Sequence, residues 1–421
     1  MKKKIAVSIV LAILLHLMAG LAFGTELNII RTSGDDWIAP LYDKFTEETG
    51  IKLNINAIPH REMIQAIEVM MRSGSSDVDI IHVDSPLTAS YAVRGFLLPL
   101  DPYFDIENSG WTEAGIAAGS WDGKLYSAPF ETSTQVMFYN KTLFDQAGLE
   151  YPPMDVEQRW TWEQVAEAAK KIKAATGKWG LAWQQINRPY QLLPLPQSLG
   201  GGSGVGPDGL AVDGYLNNEA WVKAFQFYYD CFNTWEISPK GITVDEVWDN
   251  FTAGNIGMIV AGTWSIPSAE EARASTGLDY GLAPHPYFEG GVPVTPTGSW
   301  HWGINAKSKN IEAAVKFIEF MTLREDIIDW RFKTGGQLVP HEAMFEIIKN
   351  DPNYQQFPLD IYHVAVYELA NTAVVRPVTP GFVEWEDITI KAFEDIRNGT
   401  DPKTALDNAV RRLEPLMRRY K

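Results

Sequence analysis

Between residues 27 and 83 the chain alternates between two hydrophobic periods, and this alternation restricts the fold more than any other feature. A short strand at 27–31 precedes apolar residues four apart at 37–45, the spacing of one helix face. A second strand at 51–55 and a helix with its apolar face at 63–71 lead to 78–83, a nearly continuous apolar strand. Such a strand is typical of a parallel sheet covered on both faces. The βαβαβ order therefore predicts a doubly wound α/β lobe.

This topology also predicts where a ligand binds. In open α/β sheets, ligands lie beyond the carboxyl ends of the strands. Those ends carry Ser33, Arg61 and Asp84, whose side chains can all hydrogen-bond a ligand. A surface or interlobe salt bridge is an equally good interpretation of Arg61. Asp36, which opens the first helix, is expected to cap it.

The N-terminus has the composition of an export signal. Three lysines precede an apolar run from Ile5 to Leu21, and small residues close it at 22–24. An uncleaved anchor is the alternative, but His16 and Gly20 interrupt the run, so cleavage after residue 24 is expected. No cysteine lies near that point, which predicts a freely diffusing periplasmic protein and not a lipoprotein. The single cysteine, Cys231, cannot form an internal disulfide and is expected to be a buried helical thiol.

Composition excludes several classes of protein. A chain of 421 residues is long enough for two or three lobes, and its net charge of −17 disfavours nucleic acid and anionic membranes as partners. The seven histidines show no metal-ligand spacing, so no metal is expected. The glycine-rich segment 200–209 lacks the Lys-Ser or Lys-Thr of a phosphate loop and predicts a surface loop, and no cofactor is expected.

The 15 tryptophans suggest that some indoles face a ligand.

Four segments, in this order and spacing, resemble one family. They are Phe138–Leu149 followed by Thr161–Val165, Phe251–Trp264, Gly298–Asn305 with the helix after it, and Arg376–Pro380. Together with the βαβ opening, they resemble the bacterial extracellular solute-binding proteins of sugar ATP-binding-cassette importers, particularly the maltose, trehalose and oligosaccharide group. The resemblance spans essentially the whole chain.

The resemblance implies an α/β clamp of two lobes, each a mixed sheet flanked by helices, with the ligand in the cleft between them. Residues 25–132 and 283–333 would form the N-terminal lobe, and 133–282 and 334–421 the C-terminal lobe. Such receptors close by hinge bending around a sugar and present it to membrane permease subunits. A monomer is expected.

The resemblance also implies ligand-contacting residues. Pyranose rings stack on aromatic faces, and their hydroxyls bind carboxylates, amides and guanidinium groups. Trp264 and Trp300 match stacking positions, with packing as the alternative for each, and Trp302 shares a strand face with Trp300. Trp183 lies near a family contact region. The implied polar contacts are Asp84, Glu131, Ser133, Ser299 and Arg376, the last with an interlobe salt bridge as its alternative.

Two other classes of function remain as alternatives. Two facing carboxylates such as Asp84 and Glu131 could serve a carbohydrate-active enzyme, although no hydrolase motif is present. A receptor of the same class could instead carry a polyol, a phosphate ester or a polyamine. The expected function is that of a sugar receptor, not an enzyme.

Overall fold

The computed structural model describes residues 25–34, 36–186 and 188–420, so the predicted export signal lies outside the described residues. Its strands are β1 Glu26–Thr32, β2 Lys52–Ile58, β3 Ile80–Asp84, β4 Ser120–Trp121, β5 Lys124–Leu125, β6 Ser127–Ser133, β7 Gln135–Asn140, β8 Trp179–Trp183, β9 Ile256–Gly262, β10 Tyr280–Pro284, β11 Thr295–Ile304 and β12 Ala373–Val375.

The α-helices surround two main sheets. They are α1 Ala39–Thr49, α2 His60–Arg72, α3 Leu87–Val93, α4 Glu113–Ala118, α5 Lys141–Gln146, α6 Trp162–Thr176, α7 Pro189–Leu192, α8 Pro194–Ser198, α9 Glu219–Asn233, α10 Val244–Thr252, α11 Ile266–Thr276, α12 Ile311–Thr322, α13 Glu325–Gly335, α14 Glu342–Asn350, α15 Ile361–Asn371, α16 Phe382–Arg397 and α17 Pro402–Met417.

The first sheet has the strand order β12-β11-β3-β1-β2, and β6 also pairs with β11. β1 lies between β2 and β3 and is parallel to both, as the βαβαβ pattern predicts. β11 runs antiparallel to β3 and to β6, which makes the sheet mixed. All five residues of β3 are buried, because helices cover both of its faces.

The second sheet has the order β10-β7-β9-β8. The chain passes from the first sheet to the second between Ser133 and Gln135, and back between Pro284 and Thr295. The two sheets with their helices form the predicted two-lobed α/β fold. The predicted boundary at 282/283 falls inside β10, so the change of sheet comes a few residues later. β12 was expected in the C-terminal lobe, but it pairs with β11 and therefore belongs to the first sheet.

Local sequence signals explain several helix ends. Thr161 caps α6, and Gln164 completes a capping box with it. The expectation for Asp36 was wrong: it makes no cap, and its carboxylate accepts a hydrogen bond from Arg31 at 2.7 Å. Cys231 is buried in α9, as expected, and 200–209 forms neither helix nor strand. Among the described helices, none is both long enough and apolar enough to span a bilayer.

Candidate functional site

A cavity of about 280 Å³ lies where the two sheets meet. Its walls come from the carboxyl ends of β1, β3, β6 and β12, from β11, and from the segments after β8 and β9. Charged or titratable side chains form one part of the lining: His60, Asp84, Glu131, Arg188 and Arg376. The rest consists of Thr32, Ser33, Thr132, Ser133, Gln185, Tyr190, Trp264, Gly298, Trp300 and Gln337.

Asp84 and Arg376 form a buried bidentate ion pair at the end of β3. Arg376 Nη1 donates to Asp84 Oδ2 at 2.9 Å, and Nη2 donates to Oδ1. Burial alone would raise the pKa of Asp84, but the Arg376 guanidinium and the contact with His60 together outweigh burial and hold that pKa well below its usual range. The carboxylate is therefore charged, and one guanidinium already neutralises it.

His60 connects Asp84 to a second arginine. Arg188 Nη2 donates to His60 Nδ1 at 2.7 Å, and His60 Nε2 lies 3.4 Å from Asp84 Oδ2. Because a guanidinium can only donate, the Nδ1 atom must accept, so the proton of the neutral ring is on Nε2 and points to Asp84. These contacts link α2 of the first lobe to the segment before α7 in the second.

Glu131 is also buried next to an arginine. Its Oε1 atom lies 4.0 Å from Arg331 Nη2. The same guanidinium donates to the carbonyl oxygen of Phe130 at 2.6 Å and lies over the Phe130 ring, 3.6 Å from its centroid. Both carboxylates of the cavity thus have a cationic neighbour, Arg376 beside Asp84 and Arg331 beside Glu131.

Trp300 presents one aromatic face to the cavity. The His82 ring stacks on the other face of the indole, with the ring centroids 4.4 Å apart, and covers it. Burial, and after it the charge of Arg31, hold the pKa of His82 well below its usual value, and the ring is therefore neutral. His60 packs edge-on against Trp300 with the centroids 5.4 Å apart.

Trp264 supplies a second aromatic surface, from the segment after β9. It lies 6.2 Å from the ring of Tyr190. A Cβ atom at Gly262 would lie 1.9 Å from the Trp264 ring, so only glycine leaves room for the indole there. Gly298 has the same role for Tyr190, because a Cβ atom at that position would lie 2.7 Å from the tyrosine ring.

Ser133 ties the crossover segment to this aromatic wall. Its hydroxyl lies 2.7 Å from the Tyr190 hydroxyl and accepts a hydrogen bond from the Gly298 amide at 3.0 Å. Gln185 also lines the cavity, and its side-chain oxygen is buried without a hydrogen-bond partner among the described residues. That oxygen can accept a hydrogen bond from a ligand hydroxyl.

The structure brings seven of the predicted residues to one cavity: Ser33, Asp84, Glu131, Ser133, Trp264, Trp300 and Arg376. Ser299 lies in β11 beside them, and its side chain is outside the described part of the chain. Arg376 lines the cavity and forms a salt bridge with Asp84, and its contact with a ligand stays a prediction.

Three predicted residues do not line the cavity. Trp183 is fully buried, with its ring centroid 5.7 Å from that of Trp162, because β8 is covered by helices. Trp302 shares a face with Trp300, but it lies deeper in the sheet and is fully buried. Arg61 forms its alternative, an exposed salt bridge of 2.8 Å with Asp387. We therefore remove these three from the candidate site.

Sequence reasoning missed Gln185, Arg188, Tyr190 and Gln337. A signal for the first two was available, because both follow the carboxyl end of β8. Strand ends of the second sheet thus supply ligand-facing positions just as those of Ser33 and Asp84 do in the first. No local pattern distinguishes Tyr190 or Gln337, which reach the cavity through the packing of the lobes.

The chemistry of the lining fits reversible binding of a polar solute. In the residues that the structure describes, no group of three or more His, Cys, Asp or Glu side chains could hold a metal ion. The cavity instead offers two aromatic surfaces and hydroxyl, amide and guanidinium groups, which are the partners of a polyhydroxylated ligand.

Known proteins are similar to this chain in sequence and in fold. Residues 30–326 match the family model of the bacterial extracellular solute-binding proteins. The sn-glycerol-3-phosphate-binding periplasmic protein UgpB of Brucella abortus is 30% identical over 311 residues, which cover 69% of this chain and 67% of that protein.

Two solved structures have the same fold. The GacH receptor of Streptomyces glaucescens, studied unliganded and with acarbose, has a TM-score of 0.80 at 22% identity, covering 95% of this chain and 100% of its own. The substrate-binding protein Lmo0181 of Listeria monocytogenes, solved with cycloalternan, has a TM-score of 0.81 at 24% identity, covering 93% and 99%. From the family match and the two-lobed fold, this chain belongs to the bacterial extracellular solute-binding proteins.

Proposed function

We propose that this protein is the receptor of an ATP-binding-cassette importer and captures a sugar or polyol in the cavity between its lobes. One observation carries the proposal: Trp264 and Trp300 face a cavity otherwise lined by hydroxyl, amide and charged side chains. Aromatic faces bind the C–H surface of a sugar, and the polar groups bind its hydroxyls. The ligands of related proteins, acarbose, cycloalternan and sn-glycerol 3-phosphate, are all polyhydroxylated.

The mode of action in this proposal is closure of the two lobes around the solute, followed by transfer to the permease. His60 and Arg188 already meet across the cavity, which supports contact between the lobes in the closed form. We propose that the protein acts as a periplasmic monomer, released from a cleaved signal peptide without a lipid anchor and without nucleic-acid partners. No catalytic step is proposed.

A thermal melting experiment tests the proposed function. The mature protein, beginning at Thr25, would be melted alone and with monosaccharides, oligosaccharides and polyols. A solute that binds only the folded state raises the melting temperature, by an amount set by its concentration relative to Kd. We expect the melting temperature to rise selectively with one group of compounds. At saturation with such a compound, small-angle scattering should give a smaller radius of gyration. Hydrolysis of any sugar in the panel would favour the enzyme alternative instead.

A further inference from the structure

Two of the arginines at the cavity lie beside a carboxylate, and Arg188 does not. Arg376 neutralises Asp84, and Arg331 lies beside Glu131. Arg188 is half-buried in the cavity wall, and no carboxylate of the described residues lies within 4.0 Å of it. A partly buried cation without a counter-charge is unfavourable, so an anion from the ligand would be stabilised there.

The contact with His60 does not supply that counter-charge. Arg188 donates to a neutral ring nitrogen, and this bond engages one of the five N–H donors of a guanidinium. The Nε2–H group of the ring points toward Asp84, which Arg376 already neutralises. The positive charge of Arg188 therefore remains directed at the cavity.

The position of Arg188 in the chain holds the guanidinium there. The residue lies between β8 and α7, and the next residue, Pro189, is buried and begins the helix. The backbone amide of Arg188 donates to the carbonyl oxygen of Gln185 at 2.9 Å, which closes a turn. The turn thus places a cation and the Gln185 side-chain oxygen, which is buried without a partner in the described part of the chain, in the same wall.

The cavity volume limits the size of the solute. About 280 Å³ lies just below the usual range for small-molecule pockets, roughly 300–1,000 Å³. A monosaccharide or a short polyol fits this space better than a long oligosaccharide does.

Building on the proposed function, we propose that Arg188 forms an anion subsite and that the solute is a small sugar or polyol carrying one phosphate or carboxylate group. The guanidinium fork would bind two oxygens of the anionic group. The Gln185 oxygen and the aromatic faces would bind the hydroxylated remainder of the molecule.

The first experiment tests the subsite without knowledge of the natural solute. The probe is inorganic phosphate, compared with chloride at equal ionic strength, in thermal melts of the wild-type protein and of Arg188→Gln. Phosphate should raise the melting temperature of the wild type more than that of Arg188→Gln. The matched control is Arg61→Gln, which removes an exposed arginine outside the cavity and should respond like the wild type. Equal responses of all three proteins would overturn the subsite.

The second experiment uses calorimetry with matched pairs: glycerol and sn-glycerol 3-phosphate, and glucose with glucose 6-phosphate and glucuronate. We expect an anionic member to bind about tenfold or more tightly than its neutral partner, with an advantage that Arg188→Gln removes. The phosphate and carboxylate members distinguish the two anionic groups. Equal or tighter binding of the neutral members would overturn the inference but leave the proposed function intact. Binding of no sugar or polyol, together with a phosphate response that needs Arg188, would contradict the proposed function alone.

Discussion

Trp300 can bind a ligand on one face only, because His82 covers the other. On the same face of the strand, the next side chain is Trp302. Its ring stacks on the opposite side of the same histidine, with the centroids 4.5 Å apart. A single column of three rings therefore runs from the cavity into the core of the first lobe. The role of each tryptophan depends on its depth along the strand, and not on its residue type.

Replacing Trp264 or Trp300 by Ala should weaken solute binding by about tenfold or more, because each change removes an aromatic face from the cavity. Calorimetry with the solute found by the melting experiment measures this change. The control is Trp235→Ala, which removes a ring that lies under Lys170, away from the cavity. An affinity equal to that of the wild type would remove the tested tryptophan from the site.

At the scale of elements, the site is built by strand ends that meet where the lobes face each other. β1, β3 and β6 supply the wall of the first lobe, and the segments after β8 and β9 supply that of the second. The turn after β9 depends on Gly262, whose φ of −80° and ψ of 160° suit any residue. Glycine is needed there for the space that the Trp264 ring occupies.

Gly262→Ala should therefore weaken solute binding by displacing Trp264, without backbone strain. A double-mutant cycle tests this mechanism. In a Trp264→Ala background the added methyl group meets no ring, so Gly262→Ala should have little further effect on the affinity. Circular dichroism and melting temperature check that each variant is folded. If the two changes were additive, the effect of Gly262→Ala would not act through Trp264.

The sequence predicted the elements better than it predicted the cavity. The periods at 27–83 are a local signal, and the structure confirms the strands and helices that they predict. Trp183 was misplaced because an indole that packs in a core and one that stacks on a ligand have the same local pattern. Tyr190 and Gln337 reach the cavity only through contacts between segments far apart in the chain, which no local period encodes.

At the scale of the whole molecule, buried histidines link stability to pH. Burial lowers the pKa of His301 to about 4 and that of His285 to about 3, and it lowers the pKa of His82 as well. The unfolded chain takes up these protons near pH 6.5, whereas the folded protein excludes them until lower pH. The unfolded state therefore binds more protons in between, and stability falls as the pH falls.

We accordingly expect the free energy of unfolding to decrease between pH 6.5 and pH 5, with a slope that rises to about 1.4 kcal/mol per pH unit for each of these histidines as the unfolded chain becomes fully protonated. Urea titrations at pH 7, 6 and 5 measure it. His285→Gln should reduce the pH dependence of the unfolding free energy by the contribution of one histidine. The control is His363→Gln, which changes an exposed histidine and should leave this pH dependence as it is in the wild type. A stability that is constant across this range would contradict the neutral state of the three rings.

The strand order of the first sheet also determines when the protein can finish folding. β3 gains its second neighbour only when β11 is available, and Asp84 meets Arg376, 292 residues further along, later still. Contacts that distant require long loops to close before they contribute stability, which slows folding. The N-terminal segment therefore cannot fold into a finished lobe while the chain is still being synthesised. The finished first lobe is thus a property of the nearly complete chain, since β11, β12 and Arg376 all come from its last third.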